Sequence, residues 1–288
     1  MNKNFFFSII IPTFNRAKKI KLAISSVIKQ NYENWELIIV DNNSTDNTKD
    51  VVNSYNNKKI FFYEINNEGV IAKSRNYGIE KSLGDYLCFL DSDDWWDKDK
   101  LKHVNFAAQK GYSFIYHDHH INSPNAIIRK RKIVNKNLDK PIFNNLIKYG
   151  QSFATSSVTV KKDIFEKIGC FDQDRKYIAW EDFDAWIKLS KITNNFFKIN
   201  KSLSIINIDN SNLLDDKLKI KNTNLFLNKY MKKSEKIPSW CLYNFLVAEY
   251  NLSNFKEVKN ILKKNFFFEL NLKKKINYIK IILLTLFK

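Results

Sequence analysis

The sequence contains little glycine. Among 288 residues there are only six glycines, and they lie too far apart to form G-x-G-x-x-G or G-x-x-x-x-G-K-[ST]. Both motifs need glycine where backbone amides approach phosphate. A dinucleotide-binding Rossmann turn and a Walker A loop are therefore excluded, and a phosphorylated ligand would have to be held by another route.

Cysteines and long apolar runs are also scarce. Cys88, Cys170 and Cys241 are odd in number and widely separated, which indicates a reducing compartment and excludes a disulfide framework or a cysteine-rich zinc site. The apolar run over residues 5–11 is too short for a signal-peptide core and runs into Pro12. No stretch reaches the ~20 apolar residues of a membrane span. We therefore expect a cytoplasmic protein.

Positive charge is concentrated in the second half of the chain. Residues 1–120 carry a net charge of +1 and residues 121–288 a net charge of +17. A strongly basic surface usually binds nucleic acid or an anionic membrane. Asn, Ile and Phe are abundant as well, so AT-rich codon usage is an alternative explanation for part of the lysine excess.

Short apolar strands alternate with helical patterns along the first 120 residues. This alternation predicts an α/β fold, a Rossmann-like and mostly parallel sheet with helices on both faces. A further strand is predicted near residues 155–160, a helix near 183–189, and basic helices beyond 211. The strands predicted in the first part cover residues 8–11, 36–40, 60–65, 86–90 and 114–116.

Polar and acidic residues follow these strands, at the sheet edge where open parallel sheets bind ligands. After the apolar strand 86–90 come three carboxylates in four residues, Asp91, Asp93 and Asp94. A divalent cation would relieve their repulsion, and oxygen ligands favour Mg²⁺ or Mn²⁺ over zinc. The alternative is an acidic helix cap before Trp95.

Several sequence blocks resemble the family 2 glycosyltransferases, inverting nucleotide-sugar enzymes of the A-type glycosyltransferase fold. In chain order the blocks are residues 8–16 (SIIIPTFNR), 36–46 (ELIIVDNNSTD), 75–78 (RNYG), 89–94 (FLDSDD), 169–172 (GCFD) and 180–186 (WEDFDAW). Together they place the resemblance over about residues 7–210. The resemblance implies a domain over residues 1–210, with a nucleotide-binding half (1–120) and an acceptor half (121–210), before a basic helical region (211–288).

The resemblance also implies residue roles for the donor. Asp41 would bind the base, Arg75 and Lys73 would lie near the sugar-diphosphate, and the D-x-D of Asp91 and Asp93 would hold the ribose and a Mn²⁺ or Mg²⁺ ion. Many relatives complete the metal site with a histidine, and here Asp209 stands at that position. The complete set expected for nucleotide-sugar binding is Pro12, Thr13, Phe14, Asn15, Arg16, Asp41, Asn43, Lys73, Arg75, Asp91 and Ser92.

For catalysis the resemblance implies that Asp182 is the general base, which deprotonates the acceptor hydroxyl during one inverting displacement. Glu181, Trp180 and Asp118 would belong to the acceptor site. The alternative for residues 180–186 is an acid-rich helix start with tryptophans in the core. For the histidine-rich segment around Asp118 the alternatives are a zinc site or ordinary loop residues.

The resemblance favours transfer from a nucleotide-sugar, with UDP as the expected nucleotide, to a glycan or lipid-linked acceptor in bacterial surface polysaccharide or lipooligosaccharide synthesis. The lysine-rich apolar segment 255–288 indicates peripheral association with the inner membrane face. Two alternatives are weaker. A basic nucleic-acid-binding protein lacks support because no recognised motif is present, and a sugar nucleotidyltransferase would need a glycine-rich loop near the N-terminus.

Overall fold

The protein divides into two compact units in the computed structural model, which describes residues 4–123, 130–151, 153–208 and 215–286. The first unit comprises residues 1–142 and 152–212, and the second comprises residues 143–151 and 213–288.

The first unit is an α/β domain built on a nine-stranded sheet, as predicted. Its strands are β1 (Phe7–Thr13), β2 (Trp35–Asp41), β3 (Ile60–Glu64), β4 (Tyr86–Phe89), β5 (Trp95–Trp96), β6 (Phe114–Asn122), β7 (Lys130–Ile133), β8 (Val158–Lys161) and β9 (Phe196–Asn207). Its helices are α1 (Ile20–Ile28), α2 (Thr48–Asn53), α3 (Ile71–Lys81), α4 (Lys100–Gln109), α6 (Lys162–Lys167) and α7 (Glu181–Ile192). The intervening helix α5 (Ile142–Tyr149) begins at the last residue of the first segment and otherwise belongs to the second unit.

The sheet is parallel in its first part and mixed beyond it. The order is β3-β2-β1-β4-β8-β6-β9-β5, with β7 paired to β6. The strands β1 to β4 pair in parallel, and β1 and β2 run in unbroken register from Phe7 opposite Trp35 to Thr13 opposite Asp41. Every residue of β1 and β2 is buried, since helices cover both faces of a parallel sheet. β8 then runs antiparallel to both β4 and β6.

The second unit contains helices with an apolar core of their own. They are α5, α8 (Asp216–Tyr230), α9 (Ser239–Asn251), α10 (Phe255–Leu262) and α11 (Leu272–Leu286). Leu246 and Val258 are fully buried in this core, and the Trp240 indole N–H donates to the Ile147 carbonyl oxygen at 2.9 Å. Across the described residues, no helix combines the length and apolar character that crossing a membrane requires.

Candidate active site

A cleft of about 650 Å³ opens where the parallel strands β1, β2 and β4 end. Its walls come from the turns after these strands, from the start of α3, from the segment before α7 and from the end of β9. The lining residues are Pro12, Thr13, Phe14, Arg16, Asn42, Asn67, Gly69, Ile71, Asp91, Ser92, Asp93, Asp94, Ile178, Ala179, Glu181, Ile206, Asn207 and Ile208. The cleft therefore lies at the sheet edge that the strand-end residues predicted.

Arg75 lies beneath this cleft and joins two of the sequence blocks. It projects from α3 and is only 4% exposed. One guanidinium nitrogen, Nη1, donates to Glu181 Oε1 at 2.7 Å, and the other, Nη2, donates to Asp91 Oδ1 at 2.9 Å. The guanidinium carbon also lies 5.5 Å from the centre of the Phe171 ring. Arg75 thus fixes the position of both carboxylates relative to α3.

Burial and the charge of the partner have opposite effects on the pKa values of Arg75 and Glu181. Burial would lower the pKa of Arg75, but the negative charges of Asp91 and Glu181 outweigh it and raise that pKa above its usual value. Burial raises the pKa of the Glu181 carboxyl, and the neighbouring Asp182 charge adds to this rise, whereas Arg75 opposes it. Arg75 therefore remains a cation at every physiological pH and supplies the positive charge that opposes the rise in the Glu181 pKa.

The carboxylates of the acidic turn after β4 have different environments. Asp91 is the most open, with a side chain 36% exposed, and Asp93 lies within 4.0 Å of the Arg16 guanidinium. Asp94 is buried, and its two oxygens accept hydrogen bonds from the Ser156 hydroxyl at 2.6 Å and the Asn207 N–H at 2.9 Å. Burial, followed by the Asp91 charge, raises the pKa of Asp94. Asp94 is therefore a structural acid that ties the turn to β9.

The D-x-D carboxylates fit part of a site for a hard cation. Asp91 and Asp93 both line the cleft, and oxygen donors suit Mg²⁺ or Mn²⁺. One Asp91 oxygen is already bonded to Arg75, which leaves the other for a ligand. Within the ranges that the structure describes, no group of three His, Cys, Asp or Glu side chains is placed to hold a metal ion. Asp209, the third expected ligand, lies outside the described residues.

The loops after β1 and β2 are held together by side-chain hydrogen bonds. Asn15 and Asn43 both have positive φ, +50° and +52°, a conformation that asparagine tolerates better than most residues. The Asn15 N–H donates to Ser44 Oγ at 2.8 Å, and Asn15 Oδ1 accepts from the Thr45 N–H at 2.8 Å. These bonds hold Phe14, which is 51% exposed, at the mouth of the cleft.

Asp41 has a more internal position than the residues around it. Its side chain is 1% exposed, and its carboxylate accepts hydrogen bonds from the Ser44 N–H at 2.7 Å and the Ser44 hydroxyl at 2.5 Å. The next residue, Asn42, lines the cleft, whereas Asp41 and Asn43 do not. In this structure Asp41 shapes the β2 turn that borders the cleft.

The paired acids at the start of α7 face different partners. Glu181 lines the cleft and bonds Arg75, while Asp182 Oδ2 accepts a hydrogen bond from the Thr155 hydroxyl at 2.8 Å and does not line the cleft. Neighbouring positions on a helix point about 100° apart, so one element presents acids in two directions.

Three further predicted residues lie away from the cleft lining. Asp118 is 3% exposed and forms an ion pair with Lys198 at 2.9 Å. Trp180 stacks on Tyr177 with ring centres 5.5 Å apart. Lys73 forms a surface ion pair with Glu68 at 2.7 Å. The cleft is thus lined by the strand-end residues of the first and fourth blocks together with Glu181, whereas these three residues and Asn15 do not line it.

The histidine-rich segment departs from simple strand alternation. The register of β6 against β9 shifts on both sides of Asp118, so His117, Asp118 and His119 are all buried. Burial lowers the pKa of His119 to about 4 and holds the pKa of His117 well below its usual value. Both rings are therefore neutral at physiological pH.

A buried layer behind the acidic turn was absent from the sequence prediction. Ser156 accepts the Asp91 N–H at 3.0 Å, and its carbonyl oxygen accepts from the Trp96 indole and from Lys100 Nζ, both at 2.9 Å. Lys100 is completely buried, and burial lowers its pKa to about 7. A serine in a Thr-Ser-Ser run and one lysine among several give no signal in the sequence. Only the pairing of β8 with β4 and of β5 with β9 brings them to the site.

The comparisons with known proteins agree with this fold. The family described as Glycosyl transferase family 2 matches residues 8–169. An uncharacterized glycosyltransferase of Rickettsia typhi is 32% identical over 203 residues, covering 66% of this chain and 60% of that relative. The UDP-Glc:alpha-D-GlcNAc-diphosphoundecaprenol beta-1,3-glucosyltransferase of Escherichia coli is 29% identical over 194 residues, covering 67% of this chain and 72% of that relative. The chain thus spans less than two thirds of the length of the Rickettsia relative.

A solved structure shows the same fold over nearly the whole chain. The mannosyltransferase of Pyrobaculum calidifontis, determined in complex with GDP-Man and Mn²⁺, superimposes with a TM-score of 0.62 at 14% identity, over 97% of this chain and 85% of that chain. With the family match covering more than half of the sequence, this chain belongs to glycosyltransferase family 2. The resemblance drawn from the sequence blocks is confirmed.

Proposed function

We propose that this chain is an inverting glycosyltransferase that moves a sugar from a UDP-sugar to a glycan or lipid-linked acceptor in bacterial surface polysaccharide synthesis. Family membership supports the reaction class. The E. coli glucosyltransferase, with UDP-Glc as donor and a diphosphoundecaprenol acceptor, supports the donor and acceptor classes.

One observation carries the proposal. The Arg16 guanidinium and two carboxylates, Asp91 and Asp93, line one cleft where the parallel strands end, and the Arg75 guanidinium lies beneath it against Asp91. A nucleoside diphosphate suits both kinds of group, because guanidiniums bind phosphate oxygens and carboxylates would hold a divalent cation that offsets the negative charge of the diphosphate. This arrangement replaces the glycine-rich loop that the sequence lacks.

A divalent cation, Mn²⁺ or Mg²⁺, would be held by Asp91 and Asp93, with Asp209 proposed as a third ligand. When bound, it would supply positive charge for the departing diphosphate. Pro12, Thr13, Phe14 and Asn43 are proposed to surround the nucleotide together with the other expected binding residues. Phe14 offers an exposed ring at the cleft mouth for contact with a base.

The proposed general base is Asp182. Its carboxylate takes the proton of the acceptor hydroxyl while the hydroxyl oxygen forms a bond to the anomeric carbon. The bond from that carbon to the diphosphate oxygen breaks on the opposite side, and its electron pair leaves with the nucleoside diphosphate. The result is inversion at the anomeric carbon. Glu181 is less suited to this role because its carboxylate is committed to Arg75.

The proposed location follows from the donor and the acceptor. Nucleotide-sugars are cytoplasmic metabolites, and a lipid-linked acceptor lies at a membrane, so we place the protein in the cytoplasm at the inner membrane face. Nucleic acid is not among its proposed partners.

Thermal stabilisation by nucleotides tests the proposal against its two alternatives. We expect UDP to raise the melting temperature with Mn²⁺ or Mg²⁺ and to have little effect with a chelator, while GDP and ADP serve as base controls. A preference for GDP would overturn the UDP assignment alone. Stabilisation by oligonucleotides without any effect of a nucleoside diphosphate would favour the nucleic-acid-binding alternative. Release of pyrophosphate from a nucleoside triphosphate and a sugar phosphate would favour a nucleotidyltransferase.

A further inference from the structure

The last helix, α11, is buried on one side and carries an apolar stripe on the other. Tyr278, Ile281 and Thr285 are at most 4% exposed and pack into the second unit. Leu272, Ile276, Ile279 and Leu283 are 75%, 62%, 46% and 54% exposed. We call these four residues the α11 stripe.

The spacing of the α11 stripe places its members on one line along the helix. Its residues follow one another at intervals of four, three and four, which is the period of a single helical face. Phe268, in the turn just before α11, is also 79% exposed. Single exposed apolar residues are ordinary, but a continuous row of large ones marks an interaction surface.

Lysines border the α11 stripe on both sides. By helical periodicity Lys273 and Lys280 lie along one border and Lys275 along the other, and Lys273 and Lys280 are exposed. The helix contains no Asp or Glu. An apolar face with cationic borders and no acid is the pattern of a helix that lies in a lipid interface.

The length of α11 determines how it can meet a bilayer. Its 15 residues extend about 22 Å, less than the ~30 Å hydrocarbon core. One side of α11 is already packed against the helices of its own unit. The helix can therefore lie along a membrane surface with the stripe directed into it, and it cannot cross the membrane.

The charge pattern also indicates which kind of partner binds the α11 stripe. A second copy docking face to face would bring two sets of lysine borders together, which is electrostatically unfavourable. An anionic lipid surface is complementary to both the apolar stripe and its lysine borders, because acyl chains accept the apolar side chains and headgroups attract the lysines. We propose that the α11 stripe docks the protein on an anionic lipid surface. Vesicle binding does not require glycosyl transfer, so each proposal can fail without the other.

Co-sedimentation with vesicles tests this docking surface. The full chain is mixed with vesicles of phosphatidylcholine alone, or with phosphatidylglycerol added, at low and high salt. We expect binding to the anionic vesicles that weakens as salt screens the lysines. Replacing Lys273 and Lys280 by Gln should weaken this binding by about fivefold per lysine. Equal binding to both vesicle types, or to neither, would overturn the proposal.

A variant of the stripe separates apolar insertion from charge alone. The triple change Leu272→Ser, Ile276→Ser, Ile279→Ser alters exposed side chains only, so we expect the folded helix content to persist in circular dichroism. Binding to the anionic vesicles should fall by at least about tenfold. The matched control is Leu22→Ser with Ile192→Ser, which removes similarly exposed apolar groups from the other unit and should bind like wild type.

Two results would contradict the role of the stripe. Unchanged vesicle binding by the triple variant would move the lipid contact elsewhere. A wild-type dimer in light scattering that becomes monomeric in the triple variant, without loss of vesicle binding, would identify a second copy as the occupant.

Discussion

Replacing Arg75 by Met should strongly destabilise the first unit, because it removes the cation from a buried cluster of acids. Arg75 and Glu181 are only 4% and 5% exposed and their charged atoms are 2.7 Å apart. Breaking a buried ion pair by removing one partner costs about 3–5 kcal/mol, since the remaining charge stays buried without compensation. For a unit of about 200 residues this corresponds to a melting-temperature decrease of roughly 6–20 °C.

The pH dependence of the stability that Arg75→Met loses identifies the cause of the loss. Without Arg75, burial of Glu181 is opposed by no cation, so its pKa in the folded state should rise further above its value of about 4.3 in the unfolded chain. A raised carboxyl pKa favours folding at low pH, and this contribution is lost as the pH rises through the folded-state value. The Arg75→Met variant should therefore be closer to wild type at pH 5 than at pH 8.

A double variant provides the matched control. Arg75→Met with Glu181→Leu removes both charges, and we expect it to be more stable than Arg75→Met alone by about 1–3 kcal/mol, with less pH dependence. Urea unfolding followed by tryptophan fluorescence in EDTA measures all three proteins. If the single and double variants were equally unstable at both pH values, lost packing and not a stranded charge would explain the effect.

Other predictions concern the proposed chemistry and one packing contact. Asp93→Ala should abolish the stabilisation by UDP that depends on Mn²⁺, whereas the control Asp97→Ala should keep it; retained stabilisation in the first variant would remove Asp93 from the metal site. Asp182→Asn should bind UDP nearly as wild type but lose turnover by ~10²–10⁴, and unchanged turnover would refute its role as base. Gly84→Ala should lower the free energy of unfolding by about 1–3 kcal/mol, because a Cβ there would lie 2.6 Å from the Ser8 backbone nitrogen and 2.9 Å from the Phe6 carbonyl oxygen. The control Leu83→Ala changes a side chain that is 79% exposed and should alter this free energy little in the same urea titration.

The parallel half of the sheet could be predicted because its strands are locally encoded. The strands β1, β2 and β4 are short, mostly apolar runs followed by polar turns, and such a run is typical of a strand buried on both faces. The edge at which their ends meet then followed from parallel geometry. The site residues Asp91 and Arg75 were found through this pattern together with the family blocks.

The mixed half could not be predicted in the same way. β9 spans Phe196–Asn207 but contains Lys198 and Lys201, so its apolar alternation is interrupted. Lys198 nevertheless has a buried partner, Asp118, and the register shift of β6 next to it is a property of the paired strands. Such residues are specified by long-range pairing, which a local pattern does not contain.

The buried layer beneath the acidic turn has the same origin. Lys100 follows the exposed residues Asp97 and Lys98 closely in the chain. It is nevertheless fully buried, because its ammonium reaches the Ser156 carbonyl oxygen and lies 3.4 Å from the centre of the Trp96 ring. Composition would place such a lysine at the surface. Only the tertiary contact compensates the cost of burying it.

The most direct measurement of the central claim is nucleoside diphosphate release from a panel of nucleotide-sugars by the wild-type protein with Mn²⁺ or Mg²⁺. Our account predicts that at least one UDP-sugar releases UDP, that the chelator EDTA suppresses the release, and that Asp93→Ala and Asp182→Asn both lose it while only the second still binds UDP. Failure of the folded wild-type protein to release a diphosphate from any nucleotide-sugar, with water or a glycan as acceptor, would contradict it.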